Sequence, residues 1–401
     1  AIAHGNFGLA NDILAERTNL PSICGRVCPR ENQCEGNCIM NKAKKPPINI
    51  GKLERFAADF ESINELRKPK KIKQDLGKVA VVGSGPAGLS VAGDIAKLGY
   101  EVTVFEGQSE PGGVLLFGIP EFRLSKSVVR REIARLEGLG VKFVCNTFIG
   151  QDKTLDELFA EGFDSIFIGT GTHIPQEVRM ENDEVHGVFQ AMYLLTNVQL
   201  VENGELDAEQ IPVKKGDRVI IIGGGNVAMD AARTCVRLGC ESVTVAYRRS
   251  QEQMPALLSE YEEARAEGVQ FQWFASPVGV EGKDKVEGFK YEVMALNEDG
   301  AGIHGTGKFQ VMPVDKIIIA AGHKPNARLI GEGNNLKVDE KGYIITSEDP
   351  YGMTNRDGVF AGGDVVHKPA TVVLAMREAK KAVDGMVKYM EIKKAQESAN
   401  Q

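Results

Sequence analysis

One stretch, residues 78–106, constrains the fold of this chain more than any other. It begins with Val79–Val82, a short apolar run without polar alternation, which is typical of a strand buried on both faces of a parallel sheet. Three glycines follow at the spacing of a dinucleotide-binding turn: Gly83, Gly85 and Gly88. In such a turn the first glycine allows a tight bend, the second lets the backbone approach a pyrophosphate, and the third packs helix against strand.

The residues after this turn complete the same unit. A helix is predicted to about Leu98, and its amino-terminal N–H groups would face the phosphate. A second buried strand ends at Glu106, whose carboxylate can accept hydrogen bonds from both hydroxyls of a ribose. A glycine triplet alone is weak evidence. Strand, triplet, helix, strand and acid in this order predict a Rossmann unit that binds a nucleotide.

Length, charge and cysteine content narrow the class of protein. With 401 residues the chain should form two or three domains, and 42% hydrophobic and 26% charged residues describe a soluble globular protein. A net charge of −7 argues against nucleic acid or an anionic membrane as the main partner. We find no secretion signal and no apolar run of the roughly 18 residues that span a bilayer. The odd number of cysteines, 7, indicates a reducing cytoplasm and a metal site rather than disulfides.

Four of the cysteines lie close together near the start of the chain: Cys24, Cys28, Cys34 and Cys38. Soft thiolates at this density favour zinc or an iron–sulfur cluster. The spacing lacks the paired two-residue gaps of a zinc ribbon, and no histidine lies near enough to help. From the residues alone, one cubane cluster held by all four remains open, and so does a group of free buried thiols.

A second nucleotide-binding unit starts at Asp217. The strand 218–222 leads into the glycine-rich turn 223–228, in which Ala228 replaces the third glycine, an allowed variant. The next strand does not end in an acid but in Arg248 and Arg249. Two guanidinium groups at this position suit the 2′-phosphate of NADP. The alternative is a pair of solvated surface arginines without a ligand.

Two similar segments predict where the chain passes between domains. Ile166–Thr172 and Lys316–Gly322 are both apolar runs that end in small residues and are followed by a proline. After the second, the strand ending in Gly358–Asp364 and a helix from Thr371 to about Met390 return to the first domain. The predicted fold class is α/β, with two Rossmann-like nucleotide-binding domains, the second inserted in the first. The predicted domains are a helical cysteine segment at 1–70, a first nucleotide domain at 71–190 and 323–390, a second at 191–322, and a polar tail at 391–401.

Several motifs match one protein family over essentially the whole chain. They are Cys24–Pro29, Pro47–Gly51, Gly112–Leu124, Gly223–Arg233, Tyr247–Arg249 with Met254 and Pro255, and Gly362–Asp364. On these motifs the chain resembles the small subunit of NADPH-dependent glutamate synthase and its relatives. Those relatives include the large subunit of ferredoxin:NADP transhydrogenase and the amino-terminal half of dihydropyrimidine dehydrogenase.

The resemblance implies FAD in the first domain, NADP(H) in the second and [4Fe–4S] clusters in the cysteine segment. The FAD contacts would be Gly83, Gly85, Pro86, Ala87, Gly88, Glu106, Gly113, Arg123, Asp364, Thr371 and Val372. The NADPH contacts would be Gly225, Asn226, Val227, Arg248, Arg249 and Gly322. The metal ligands would be Cys28, Cys34, Cys38 and Glu54. Of these, Cys28 and Cys34 with Glu54 would hold one cluster and Cys38 would belong to another, whereas Cys24 matches a cysteine that need not bind iron.

The chain departs from the family pattern in two places. Residues 367–369, His-Lys-Pro, replace a small, glycine-containing turn after the acid at Asp364. The second departure is that a cysteine-rich stretch upstream, which completes both clusters in the relatives, is missing here. The chain also lacks an initial methionine, so we expect the two clusters to be complete only with residues before Ala1.

The resemblance also implies a mechanism. NADPH would pass a hydride to the flavin, which needs no side-chain acid or base, so no catalytic residue is assigned. The amino terminus of the Thr371 helix would stabilise negative charge on the reduced flavin. Single electrons would then leave through the clusters to a redox partner, either the large subunit of glutamate synthase or ferredoxin, and the flow could run in reverse.

Two other classes of function compete with this interpretation. A disulfide reductase of the thioredoxin-reductase type needs a close dithiol near the flavin, but Cys145, Cys235 and Cys240 are scattered along the sequence and form no two-residue-spaced pair. A non-enzymatic nucleotide-binding subunit would hold a flavin that NADPH cannot bleach. Within the enzyme class, ferredoxin:NADP transhydrogenation is the alternative to electron input for glutamate synthase.

Overall fold

The computed structural model describes residues 1–64, 72–298, 300, 302–326, 334–369 and 371–399. The chain forms two compact units. Unit 1 comprises Ala1–Leu116, Glu121–Ile174 and His323–Gln401, and unit 2 comprises Phe117–Pro120 and Pro175–Gly322. Unit 2 is thus inserted in the sequence of unit 1, as predicted. The basic stretch 67–73, whose charge and position in the sequence predict a solvated linker, lies outside the described residues except for its last two positions.

Short strands and helices alternate through both units. The strands are β1 (Lys78–Val82), β2 (Glu101–Phe105), β3 (Lys142–Val144), β4 (Ser165–Ile168), β5 (Ile174–Pro175), β6 (Val188–Gln190), β7 (Arg218–Ile222), β8 (Ser242–Tyr247), β9 (Gln270–Trp273), β10 (Ala275–Glu281), β11 (Gly288–Leu296), β12 (Ile303–Pro313), β13 (Lys316–Ile319), β14 (His323–Lys324) and β15 (Val359–Ala361). The α-helices are α1 (Phe7–Ala15), α2 (Pro21–Val27), α3 (Ile39–Lys42), α4 (Ile50–Asn64), α5 (Pro86–Lys97), α6 (Val114–Phe117), α7 (Lys126–Gly138), α8 (Leu155–Ala160), α9 (Ala191–Glu202), α10 (Asn226–Arg237), α11 (Leu258–Ala266), α12 (Asp364–His367) and α13 (Val372–Ala399).

Unit 1 is built on a five-stranded parallel sheet in the order β15–β4–β1–β2–β3. The central strand β1 is buried after its first residue, which explains its unbroken apolar run. The register pairs Val82 with both Phe105 and Ile168, so these three strands end at the same edge of the sheet. The glycine turn after β1 and Glu106 after β2 therefore lie at one edge, where ligands of open α/β sheets bind.

Unit 2 repeats this plan with a parallel sheet in the order β6–β13–β7–β8–β9. Strand β6 pairs with β13, so residues 175–190, which the sequence assigned to the first domain, lie in unit 2. A three-stranded antiparallel sheet, β10–β11–β12, completes the unit. The carboxyl ends of β7 and β8 meet where Ile222 pairs with Ala246, next to the second glycine turn.

The amino-terminal segment, residues 1–64, packs its own helices together and against α5. The ring of Phe7 on α1 lies 4.7 Å from that of Phe60 on α4. The side-chain amide of Asn19 donates to the Ser90 carbonyl at 3.0 Å and to the Asp94 carboxylate at 2.8 Å, both on α5. These hydrogen bonds anchor the cysteine segment to the helix that follows the first glycine turn.

Helix α13 packs against α5 and also reaches α2, so it connects the nucleotide fold with the cysteine segment. It continues to Ala399, beyond the end near Met390 that the sequence indicated. Among the described helices, none combines the length and the apolar character that crossing a bilayer requires.

Candidate functional site

The first glycine turn has the steric features of a phosphate-binding turn. Gly83 has φ +94°, and a Cβ added there would lie 2.8 Å from the Gly169 carbonyl oxygen. A Cβ on Gly88 would lie 1.9 Å from the Gly83 carbonyl oxygen, so helix and turn touch at this point. At Gly85, by contrast, a Cβ meets nothing within 4 Å. This open space lies at the start of α5, whose first residues are Pro86 and Ala87 and whose N–H groups can receive an anion.

Glu106 is held at the turn by hydrogen bonds. Its carboxylate accepts the Ser84 amide at 3.0 Å and the Ser84 hydroxyl on one oxygen, and the Gln108 amide at 3.0 Å on the other. Only 9% of Glu106 is exposed, and Ser84 is fully buried. The oxygen that accepts only the Gln108 amide retains acceptor capacity for a ribose hydroxyl. The role of Ser84 could not be predicted from the motif, because Ser84 occupies the variable position between its first two glycines.

Two further glycines bring separate segments against the same turn. A Cβ on Gly113 would lie 2.9 Å from the Cα atom of Gly85, and a Cβ on Gly363 would lie 2.8 Å from the Cβ atom of Ala87. Asp364 follows as the first residue of α12. The loop before α6 and the segment after β15 thus line the space above Gly85. Arg123 is half-buried in the loop that precedes α7.

The unusual sequence His367-Lys368-Pro369 has a visible backbone consequence. Lys368 has φ +71°, a conformation that favours glycine. A glycine would adopt this conformation without strain. The turn leads to Thr371, whose hydroxyl oxygen accepts the Leu374 amide at 3.4 Å at the start of α13. Val372 is the first residue of that helix.

The cysteine segment contacts the start of α13. The Gln33 side-chain amide donates to the Thr371 hydroxyl oxygen at 3.1 Å. The Val373 amide donates a hydrogen bond to the Cys28 sulfur. Cys28 is the last residue of the turn that closes α2, since its amide donates to the Cys24 carbonyl at 3.2 Å. The predicted cluster ligand and the predicted flavin contacts therefore lie within one hydrogen-bonded region of unit 1.

The protonation of the cysteine segment is set by close neighbours. A hydrogen bond from the Cys24 thiol and one from the Val373 amide lower the pKa of Cys28, against the effect of burial. The same hydrogen bond to Cys28, together with burial, raises the pKa of Cys24 well above its usual value. Burial raises the pKa of Glu54 on α4 to about 7, although Arg30 opposes this. Cys28 is thus the sulfur best prepared to bind a metal as thiolate.

Three of the predicted ligands are close enough to interact electrostatically. Cys28 interacts with Glu54 and with Cys34, which is exposed. Cys38, half-buried, lies further along the loop as the residue before α3. Across the described residues, no three His, Cys, Asp or Glu side chains converge on a point where a single metal ion could bind.

The loop between these ligands depends on a glycine of the motif at 47–51. A Cβ on Gly51 would lie 1.9 Å from the Arg30 side chain. The Gly51 amide also donates to the Glu35 carboxylate at 3.1 Å. Gly51 therefore allows the loop that carries Cys28 and Cys34 to lie against the start of α4, which carries Glu54.

The second glycine turn, in unit 2, repeats the geometry of the first. Gly223 has φ +144°, and a Cβ there would lie 2.4 Å from the Ala320 carbonyl oxygen. A Cβ on Gly225 meets nothing within 4 Å. Ala228 is fully buried at the third position. The side-chain oxygen of Asn226 accepts the Leu257 amide at 3.0 Å, which fixes the following loop over the turn, and Val227 continues the first turn of α10.

Arg248 and Arg249 follow β8 at the same edge and are both exposed. Neither guanidinium has a hydrogen bond or ion pair with any other residue that the structure describes. The Arg249 backbone is fixed, because its carbonyl oxygen accepts the Phe274 amide at 3.2 Å. Gly322, with φ +97°, ends the segment after β13. Two uncompensated positive charges beside a phosphate-binding turn suit an additional phosphate on the nucleotide.

The structure brings together two cysteines that the sequence left apart. The Cys235 and Cys240 thiols are hydrogen-bonded to each other in unit 2. They lie at the carboxyl end of the 12-residue helix α10. The turn at Gly225 is at the opposite end, about 15 Å away for a helix of this length. Cys145 lies in unit 1 after β3, near Glu106. The pair is therefore remote from the nucleotide site of its own unit.

Two family models match the chain, one over the nucleotide-binding units and one over the cysteine segment. Residues 77–379 match the model of the family described as pyridine nucleotide-disulphide oxidoreductase. Residues 1–66 match the family described as dihydropyrimidine dehydrogenase domain II, 4Fe-4S cluster.

Curated relatives cover nearly the whole chain. The small chain of glutamate synthase [NADPH] from Escherichia coli K12 is 38% identical over 94% of this chain and 83% of its own length. The beta subunit of an NADP(+)-dependent formate dehydrogenase from Moorella thermoacetica is 34% identical over 97% of this chain, but this covers only 57% of its length.

Among solved structures, FprA from Mycobacterium tuberculosis in complex with NADPH has a TM-score of 0.64 at 20% identity. That similarity covers 80% of this chain and 86% of FprA. Thioredoxin reductase from Lactococcus lactis has a TM-score of 0.59 at 24% identity over 78% of this chain and 99% of its own. At such identities these structures establish the fold alone.

Proposed function

Because this chain belongs to the pyridine nucleotide-disulphide oxidoreductases and, among them, to the family of NADPH-dependent glutamate synthase small chains, we propose that it carries electrons between NADP(H) and a partner subunit. It is an NADPH-dependent flavoprotein oxidoreductase with a 4Fe–4S domain at its amino terminus. FAD, when bound, accepts a hydride from NADPH and releases electrons singly, and the clusters carry single electrons onward. We assign no side chain as acid or base.

In unit 1 we assign the FAD site to the residues around the first glycine turn. Gly83 and Gly88 shape the turn, and the space at Gly85 receives the phosphates at the start of α5, beside Pro86 and Ala87. Glu106 orients the ribose. Gly113, Arg123, Asp364, Thr371 and Val372 complete the proposed contacts. The dipole of α13 favours negative charge near its first residues.

In unit 2 we assign the nicotinamide nucleotide to Gly225, Asn226, Val227, Arg248, Arg249 and Gly322. Support comes from the open space at Gly225 and from the two exposed guanidinium groups, which have no counter-charge among the described residues. Charge-assisted, bidentate pairing with the 2′-phosphate explains a preference for NADPH over NADH.

The observation that carries the proposal is the contact between the cysteine segment and α13. Cys28 accepts a hydrogen bond from Val373, and Gln33 donates to Thr371. The helix proposed to face the flavin and a proposed ligand sulfur would therefore be joined by a direct hydrogen-bonded contact. We propose Cys28, Cys34 and Glu54 as ligands of one [4Fe–4S] cluster and Cys38 as a ligand of another.

The partner we propose is a redox subunit, by preference the large subunit of glutamate synthase. Ferredoxin:NADP transhydrogenation is the second, less supported candidate, since a relative from a different enzyme, the formate dehydrogenase beta subunit, is also 34% identical over 97% of this chain. A cytoplasmic location is favoured by the free cysteines, which include the proposed cluster ligands and need a reducing compartment.

Anaerobic titration of the purified protein tests the function. We expect NADPH to bleach the bound flavin and NADH to do so far less effectively. Copurification from the native source then distinguishes the partners: a glutamate synthase large subunit supports the first candidate and a ferredoxin-linked complex the second. A bound flavin that neither nicotinamide nucleotide bleaches would contradict the proposal and favour a non-enzymatic subunit.

A further inference from the structure

Cys24 stands outside the proposed ligand set but lies against its central sulfur. It precedes Cys28 by four residues, and side chains at this spacing share one face of a helix. The helical turn is intact between them, since the Cys28 amide donates to the Cys24 carbonyl at 3.2 Å. The two thiols interact, because Cys28 is the main cause of the raised pKa of Cys24 and Cys24 the main cause of the lowered pKa of Cys28. Cys24 is therefore positioned to act on Cys28 directly.

The Cys24 sulfur is surrounded by protein atoms and is shielded from solvent. Cys24 is 4% exposed, and its S–H donates to the Met376 sulfur on α13 at 3.7 Å. A thioether thus occupies one side of the thiol. Next to it, α2 packs directly on α4, since a Cβ on Gly25 would lie 2.6 Å from the Arg55 amide nitrogen. An iron atom bound to Cys24 would have to displace these packed groups.

The single proton of the Cys24 thiol can be donated to only one of its two sulfur neighbours. Met376 offers a neutral thioether, which is a weak acceptor. Cys28, as a metal ligand, is a thiolate, and hydrogen bonds to charged acceptors are roughly twice as strong as those between neutral groups. With a cluster held by Cys28, the proton would therefore turn from Met376 to the Cys28 sulfur, which also receives the Val373 amide.

We propose that Cys24 is a positioning residue, not a ligand: its S–H donates to the Cys28 sulfur and raises the reduction potential of the cluster that Cys28 holds. This inference rests on the proposed function. Hydrogen bonds to ligand sulfurs favour the reduced, more negative state of an iron–sulfur cluster, and such outer contacts tune its potential. With the Val373 amide, Cys24 thus sets how readily the cluster nearest α13 accepts an electron.

The test compares the full-length, cluster-containing protein with Cys24→Ala and Cys24→Ser variants. Iron, sulfide and flavin contents are measured first, followed by an EPR-monitored redox titration of the clusters. We expect Cys24→Ala to keep its iron and to move one cluster to a more negative potential. The expected shift is threefold to tenfold in the reduction equilibrium, where tenfold corresponds to about 59 mV for one electron. Cys24→Ser keeps a donor and should stay at or above the wild-type potential.

Cys235→Ala provides the matched control, because Cys235 is another buried thiol that is hydrogen-bonded to a second cysteine, in unit 2. It should leave the cluster potentials unchanged. Unchanged potentials in Cys24→Ala at full iron content would overturn the inference. So would loss of cluster iron with flavin retained, which would make Cys24 a ligand.

If Cys24→Ala does not fold, Cys24→Val takes its place, because it also lacks a donor but fills more of the buried space, and an unshifted cluster potential in that variant would contradict the inference. A wild-type protein without iron would refute this inference and the proposed function together. A normal wild-type cluster with an unshifted alanine variant would refute only the role of Cys24.

Discussion

The Val373 amide donates its hydrogen bond to the sulfur of Cys28, which lies far away in the sequence. Val373 belongs to the first turn of α13, where backbone N–H groups have no partner within the helix. Cys28 closes α2 in the cysteine segment. One of these amides thus donates to a proposed cluster ligand, while neighbouring residues of the same turn are proposed to face the flavin. This contact gives the two redox sites a common structural element.

We expect cofactor preference to depend on Arg248 and Arg249. We predict that replacing both with alanine raises the KM for NADPH and leaves that for NADH nearly unchanged, because NADH has no 2′-phosphate. Each charge-assisted contact is worth about 1.5–3 kcal/mol, which corresponds to roughly tenfold to hundredfold per arginine. Steady-state kinetics with an artificial acceptor measures this. Arg237→Ala, an exposed arginine paired with Glu267, is the control. Equal use of both nucleotides by the wild type would contradict the assignment.

Two glycines of the first turn should respond to alanine in different ways. At Gly88 a Cβ would lie 1.9 Å from a backbone oxygen, so Gly88→Ala should destabilise the fold by roughly 2 to 4 kcal/mol. At Gly85 a Cβ meets no protein atom within 4 Å and φ is −69°, so Gly85→Ala should fold normally. It should nevertheless bind FAD at least about tenfold more weakly, because its methyl group occupies the proposed phosphate space.

Thermal unfolding of the flavin-free proteins and flavin titration separate these two effects. A Gly85→Ala protein with wild-type affinity for FAD would argue against phosphate binding at this turn. The same pair of measurements on Gly225→Ala would examine the second turn, where a Cβ also meets open space.

Electron transfer should not need the cysteines outside the amino-terminal segment. We predict that a protein with Cys145, Cys235 and Cys240 all replaced by serine reduces artificial acceptors with NADPH at a nearly normal rate. The structure supports this, because the Cys235–Cys240 pair lies at the end of α10 remote from Gly225. Loss of turnover in a folded, flavin-containing variant would instead indicate a disulfide reductase.

Much of this arrangement could be predicted from local sequence. The two glycine turns, Glu106 and the arginine pair were predictable because their spacing along strand–turn–helix units determines their position at the sheet edge. Other features depend on contacts between distant segments, which local patterns do not encode. These include the hydrogen bond from Val373 to Cys28, the approach of Gly363 to Ala87 and the pairing of β6 with β13. The proximity of Cys235 and Cys240 was missed because the helix end turns back between them.

The stability of unit 1 should depend on Glu378 of α13. This side chain is 8% exposed. Burial opposes its charge, but hydrogen bonds from Tyr351, Arg377 and Lys381 prevail and lower its pKa to about 2. We predict that Glu378→Gln lowers the free energy of unfolding by roughly 1–3 kcal/mol at neutral pH. Glu397→Gln, at the exposed end of the same helix, should have almost no effect.

The pH dependence of this contribution follows from the lowered pKa. The stabilisation is complete above the pKa of an unfolded glutamate, about 4.3, and is lost as pH falls from there towards 2. The difference in melting temperature between wild type and Glu378→Gln should therefore be constant from pH 8 to about 5 and shrink below about 4. A difference that grows as the pH falls would contradict the assignment.

The central claim is that electrons pass from NADPH through the flavin into the clusters of the amino-terminal segment. The most direct measurement is EPR spectroscopy of the full-length protein, frozen after anaerobic mixing with excess NADPH under continuous removal of NADP+. We predict that the flavin is bleached and that the signal of a reduced iron–sulfur cluster then appears. A fully bleached flavin beside clusters that dithionite reduces but NADPH leaves oxidised would contradict the account.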